Sequence, residues 1–166
     1  MIQASAPTSL HLRALGLDIG TKTIGVAISD RLGWTARHLL TIKRKSWAED
    51  LAILSRLVEE NGIQCLVAGL PLGREGEMTE QARYSQRGAE KIQTALGLPV
   101  VFIDESLSSV DAEATLIEMG ISRKKMREIS IDQQAAALIL QDYLNEQQQL
   151  ERIRQAQSKD ENPRSG

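Results

Sequence analysis

A chain of 166 residues, 42% hydrophobic and 25% charged, is one soluble domain's worth of sequence, long enough to bury a core without disulfides or a structural metal. Its single cysteine, Cys65, excludes an internal disulfide and a cysteine-built metal cluster, and it fits a reducing, cytoplasmic setting. A net charge of −2 gives no global pull toward a polyanion, while the lack of a basic-then-apolar leader and of any window near the ~18 apolar residues of a span argues against secretion and membrane insertion.

Residues 1–12 mix Ser, Pro, Thr and Gln without periodicity and read as a flexible lead-in, so the ordered domain is expected from Arg13 to Asn145. Ala14 to Ile19 and Ile24 to Ile28 are apolar runs joined by Gly20-Thr21-Lys22-Thr23, the pattern of an antiparallel hairpin. A third strand is expected over His38 to Ile42. Trp47, Leu51, Leu54 and Val58 then form a helical stripe, with Ser46 as N-cap and Gly62 as stop. Ile63 to Leu70 reads as a buried strand ended by Pro71. The loop Gly73 to Glu77 is either a plain connector or a flap over substrate, and a second helix is expected from Thr79 to Leu96. Val100 to Ile103 is a strand covered on both faces that ends in Asp104 and Glu105. Helices are expected at about 108–119 and 131–147, joined by a basic connector. Residues 146–166 form a polar, Gln-rich extension, either a frayed helix end or a tail.

Three strands, a helix, a strand, a helix, a strand and further helices predict an α/β fold. Its centre is a mixed five-stranded sheet, antiparallel hairpin strands first and then parallel crossovers, with helices on both faces.

Three acids stand at unusual places. Asp18 lies inside a strand, where a charge needs a partner, on the face it shares with Ala14, Gly16 and Gly20. Glu105 follows the carboxyl end of a buried strand, where ligand sites of α/β sheets concentrate. Asp132 falls in the first turn of the last helix, with Ser130 and Gln133 at capping-box spacing and Ala135, Ala136, Ile139 and Tyr143 continuing its stripe. Singly, each has an ordinary alternative: a turn cap, a solvated strand end, a complement to the helix dipole. Together they are a carboxylate cluster that stays ionised only around divalent cations, for which all-oxygen ligands favour Mg²⁺ or Mn²⁺. Two such ions ~4 Å apart would clamp the attacking and leaving oxygens of a phosphodiester displacement.

Local basic groups are Lys43-Arg44-Lys45 and Arg123-Lys124-Lys125, each either a solvated surface or a nucleic-acid contact. Thr21 and Lys22 sit on the turn beside Asp18, where Lys22 is either an exposed turn lysine or a phosphate contact. Trp34 and Trp47 read as core or lid residues, since five aromatics give little material for base stacking.

Four blocks in order resemble the YqgF/RuvX family, the pre-16S rRNA nucleases also called Holliday junction resolvases. They are Leu17-Asp18-Ile19-Gly20-Thr21-Lys22-Thr23-Ile24-Gly25, Val67-Ala68-Gly69-Leu70-Pro71, Asp104-Glu105-Ser106-Leu107-Ser108-Ser109 and Asp132-Gln133-Gln134-Ala135-Ala136. The resemblance implies an RNase H-like fold and a hydrolase, a metal-dependent nuclease, with Asp18, Glu105 and Asp132 as catalytic metal ligands. It also implies a part in maturing the 5′ end of 16S rRNA, and the candidate nucleic-acid contacts are Thr21, Lys22, Ser108, Arg123, Lys124 and Lys125. The expected partners are pre-16S rRNA or branched DNA, and ribosomal precursor particles, with no membrane and a monomer or homodimer. Ser106 stands where the family usually has Arg, and Gly73 where it usually has Asn. Cutting of four-way DNA and a non-catalytic RNA-binding module are the alternatives. The phosphate loop of two-domain ATPases is similar to the first block, but this chain holds one domain only.

Overall fold

A computed structural model of the protein describes residues 12–105, 120 and 131–160, the side chains of 131–134 excepted. The lead-in up to residue 11, the helix expected at 108–119 with Ser106 and Ser108, the basic connector with Arg123, Lys124 and Lys125, and residues 161–166 lie outside the described residues.

Five strands are present: β1 (Ala14–Ile19), β2 (Thr23–Ser29), β3 (Ala36–Lys43), β4 (Cys65–Leu70) and β5 (Val100–Asp104). Three described helices accompany them: α1 (Trp47–Asn61), α2 (Glu80–Leu96) and α3 (Ile131–Asp160). The strands lie in the order β3-β2-β1-β4-β5. β1 pairs antiparallel with β2 and β2 with β3, whereas β4 pairs parallel with both β1 and β5. This is the expected mixed sheet, an RNase H-like α/β arrangement.

Strand alternation sorts the core. Leu15, Leu17, Ile19, Ile24, Val26, Ile28 and Leu66 pack with Leu54, Leu57 and Ile92 on the α1/α2 face. Ala14, Ala27, Cys65, Val67 and Ile103 pack with Ala136, Ile139, Leu140 and Tyr143 on the α3 face. β1 is thus apolar on both sides except at Asp18. Caps bound the helices as expected: the Ser46 hydroxyl accepts from the Glu49 N–H at 3.2 Å, and Gly62 closes α1 in the left-handed region at φ 62°. Thr79 caps α2 in the same way through the Ala82 N–H.

α3 seats closely on β1. A β-carbon at Gly16 would stand 2.7 Å from the Leu140 Cβ and 3.0 Å from the Ala136 carbonyl oxygen. From there the helix runs to the opposite end of the sheet, where the buried Gln141 accepts from the Ala36 N–H at 2.9 Å and donates to the Trp34 carbonyl at 3.0 Å. It continues to Asp160, well past the expected 147. Gln148 accounts for part of this, donating to the carbonyls of Gly33 and Trp34. Gln, Glu, Arg and Leu are also good helix formers without an apolar stripe. Trp34, expected in the core or a lid, is 59% exposed: it lies on the surface at the rim of a shallow pocket with Gln148, Glu151, Arg152 and Gln155 of α3.

Candidate active site

The site sits at the end of the sheet where β1, β4 and β5 finish. Asp18 is half-buried in β1, opposite Gly25 of β2, on the α3 face. Glu105 is the first residue after β5. Its N–H bonds the Leu70 carbonyl at 3.0 Å, which prolongs the β4–β5 ladder by one link and folds the Glu105 side chain back over β4. There the carboxyl occupies the space above Gly69. A β-carbon on Gly69 would collide with Glu105 Oε1 and lie 2.6 Å from its Cδ and 2.5 Å from the Ile139 Cδ1. A glycine inside a strand marks such a close approach, and this signal was available in Val67-Ala68-Gly69-Leu70.

Asp18 and Glu105 share a side-chain hydrogen bond. Burial, then the Asp18 charge, that hydrogen bond and the Asp104 charge push the Glu105 carboxyl up to about 8, so it keeps its proton at neutral pH. Its Oε1 is buried without a hydrogen-bond partner. A buried carboxyl with one oxygen bonded to a second acid and the other unsatisfied is a poor structural element and a good ligand. The all-oxygen donors, the unsatisfied oxygen and the missing β-carbon at Gly69 all fit a hard divalent cation in place of the proton.

The third acid is placed by the backbone alone. Asp132 lies in the first turn of α3, one turn before Ala136, whose carbonyl faces Gly16 two residues before Asp18 on the same face of β1. Among the described residues no group of three metal-ligating side chains is assembled, the Asp132 side chain being outside them.

Thr21 and Lys22 are exposed on the β1–β2 turn beside Asp18. Two further acids also face the site: Asp104, already marked by its place at the end of the β5 run, and Asp142 of α3, which no sequence pattern marked out and whose carboxyl is raised by burial and then by the Asp104 charge. With Ile103, Glu105, Ala135, Leu138 and Ile139 they line a cavity of about 160 Å³. The loop after β4 is compact: the Gly73 N–H donates to the Glu77 carbonyl, the Glu75 N–H to the Glu77 carboxylate, and Thr79 bonds the Pro71 carbonyl. Gly73 leaves room for the Glu77 carboxylate, which would collide with any β-carbon there.

The triplet Lys43-Arg44-Lys45 is divided by the fold. Arg44 turns into the α1/α2 face, pairs with the buried Asp50 at 3.0 Å, and donates to the Gly20 carbonyl at 3.0 Å and the Tyr84 hydroxyl at 2.6 Å. Its guanidinium stacks over Trp47, 4.2 Å from the ring centroid. On the same face the Ser85 hydroxyl donates to the Ile19 carbonyl. The two carbonyls that follow Asp18 are therefore both anchored from beneath the sheet.

The sequence profile of the RuvX family, described as Holliday junction resolvase, matches residues 12–146. A protein from Moorella thermoacetica named "Putative pre-16S rRNA nuclease" is 49% identical over 134 residues, covering 81% of this chain and 95% of its own length. One of the same name from Myxococcus xanthus is 45% identical over 134 residues, covering 81% and 88%. Among solved structures, T. thermophilus RuvC in complex with a Holliday junction substrate superposes with a TM-score of 0.56 at 14% identity, covering 81% of this chain and 94% of that one. A second T. thermophilus RuvC structure gives 0.54 at 12%, covering 80% and 94%. These two are likenesses of fold.

Proposed function

The chain belongs to the RuvX family, and from that premise we propose that it is a hydrolase, a metal-dependent nuclease that cleaves phosphodiester bonds of structured nucleic acid. Its substrate on this reading is the 5′ end of pre-16S rRNA, within precursor particles in the cytoplasm. The observation that carries it is the Asp18–Glu105 pair, with the unsatisfied Glu105 oxygen lodged over Gly69. Asp18, Glu105 and Asp132 are the ligands, and all-oxygen donors select Mg²⁺ or Mn²⁺, as one ion or two. When bound, such an ion supplies Lewis acidity at the phosphoryl oxygens and a water acidic enough to attack.

The chain's own residues do the rest. Glu105 would release its proton on becoming a ligand, and the charge of the cation would offset that of two adjacent buried carboxylates. Asp18 is held by its pairing with Gly25 of β2, by the β1–β4 ladder that ends one residue before it at Leu17, and by the anchored carbonyls of Ile19 and Gly20, so it offers its oxygens without reorganising. Lys22 and Thr21 stand on the turn at the edge of the site as phosphate contacts, and Ser108, Arg123, Lys124 and Lys125 belong to the same proposal.

The test is cleavage of a pre-16S 5′-end RNA and of a four-way DNA junction by purified protein with Mg²⁺ or Mn²⁺, beside Asp18→Asn. RNA cutting that disappears in Asp18→Asn is the expected result. Cutting of the junction alone moves the activity to DNA, where symmetric incision calls for a two-fold pair of chains. Binding without cutting by the wild-type protein leaves a non-catalytic module.

A further inference from the structure

Withdrawal of Arg44 from the surface leaves a specific arrangement of the lysines around it. The Arg44 N–H donates to the Lys22 carbonyl at 3.0 Å, and Lys43 pairs with Thr23 across the β2–β3 ladder. The β1–β2 turn and the end of β3 are thus one laced edge, at the same end of the sheet as Asp18. Lys22, Lys43 and Lys45 are all exposed on it, and no ion pair among the described residues involves them.

Lys43 and Lys45 flank an open groove of about 320 Å³ whose other lining is Glu49, Asp50, Ala52 and Ile53. The Asp50 charge is met by Arg44 from inside, and the Glu49 carboxylate accepts from the Ser46 hydroxyl at the helix cap. What faces solvent is therefore the two ammonium groups and the exposed Glu49 carboxylate around a small apolar floor, Ile53 being 40% exposed, so the groove is net cationic by one charge. Two strand spacings across and two residues along put the Lys43 Cα about 12 Å from the Asp18 Cα, a short reach along a nucleic-acid strand.

We propose that Lys22, Lys43 and Lys45 form a phosphate track that leads the strand flanking the cut away from Asp18 and over the β3 edge. The proposal rests on the nuclease reading above. Lysines suit this task because a track must hold phosphates in any sequence, through charge and counterion release rather than directional forks. The fixed backbone makes it a track: Lys22 and Lys43 are tied to one ladder, so their spacing does not depend on the strand they meet.

The experiment measures binding of a fluorescently labelled pre-16S 5′-end RNA across a KCl series. It compares Asp18→Asn protein with the same protein carrying Lys43→Gln and Lys45→Gln. Loss of two phosphate contacts should reduce the slope of log K against log salt by about 1.4 to 1.8 and weaken low-salt affinity roughly tenfold or more. With Asp18 intact, the two substitutions should raise KM while kcat at saturating RNA changes by less than about twofold. Lys159→Gln, at the far end of α3, should leave the slope alone. Unchanged slope and KM in a protein that still cuts RNA overturn the track and leave the nuclease standing. No RNA binding and no cleavage by wild-type protein overturn both.

Discussion

The carboxyl of Glu105 occupies the space that a side chain at Gly69 would need, so strand β4 holds the acid of its neighbour by having nothing of its own there. Gly69→Ala should therefore push Glu105 and Ile139 aside. Cleavage is expected to fall on the order of 100-fold, as for other sub-ångström to ångström misplacements. Stability should fall by about 1–3 kcal/mol, as in overpacked cores. Cleavage assays beside urea denaturation check this, and wild-type activity in Gly69→Ala would show that Glu105 works from elsewhere.

The acid pair also makes metal-free stability depend on pH. Glu105 rises from an ordinary 4.5 to about 8 on folding. Below pH 4.5 folded and unfolded chains both hold this proton; between 4.5 and about 8 only the folded chain does, so the stabilisation is lost as pH rises through that window. In EDTA, the melting temperature of Glu105→Gln minus that of wild type should grow from pH 4.5 to 8 and then level off. Adding Mg²⁺ at pH 8 should raise the wild type more than the variant. Parallel curves would mean that Glu105 is not buried against Asp18 in solution.

Gly16 is a harder contact than Gly69, because its neighbours are the Leu140 Cβ and the Ala136 carbonyl rather than a side-chain tip. Gly16→Ala must lift the helix from β1. A loss of about 1–3 kcal/mol is expected, together with lower activity, since the first turn of α3 carries Asp132. Denaturation and Mg²⁺-titrated cleavage test it; a shift in stability with unchanged metal dependence would separate the helix seat from the site.

Arg44→Ala should be the costliest of these substitutions. Asp50 is 1% exposed, and losing its partner strands a buried carboxylate, typically about 3–5 kcal/mol. Arg44→Ala with Asp50→Asn should recover part of that loss in urea denaturation. Equal stability of the single and double variants would show that Asp50 finds other partners.

Much of this was legible in the chain. The hairpin signal around Gly20, the caps at Ser46 and Gly62, and the apolar run that stops at Asp104 led to the sheet and to the acids on it. The pairing of Glu105 with Gly69 was not, because a glycine in a strand announces a close approach without naming what approaches. Arg44 was obscured by composition: three consecutive cations look like one patch, whereas strand alternation sends the middle one inward. The reach of α3 past residue 147 was left open between a helix end and a tail for another reason. Its Gln148 contacts are with backbone carbonyls of a distant loop, which leave no periodic mark in a Gln-rich stretch.

The seating of α3 on Gly16 also sets the order in which the parts of the site come together. During synthesis β1 is made early and α3 late, so a nascent chain exposes Asp18 well before the helix that closes over it exists. If Asp132 completes the ligand set, incision waits for that docking. Until then Asp18 and Glu105 face each other with the third place in the site unfilled.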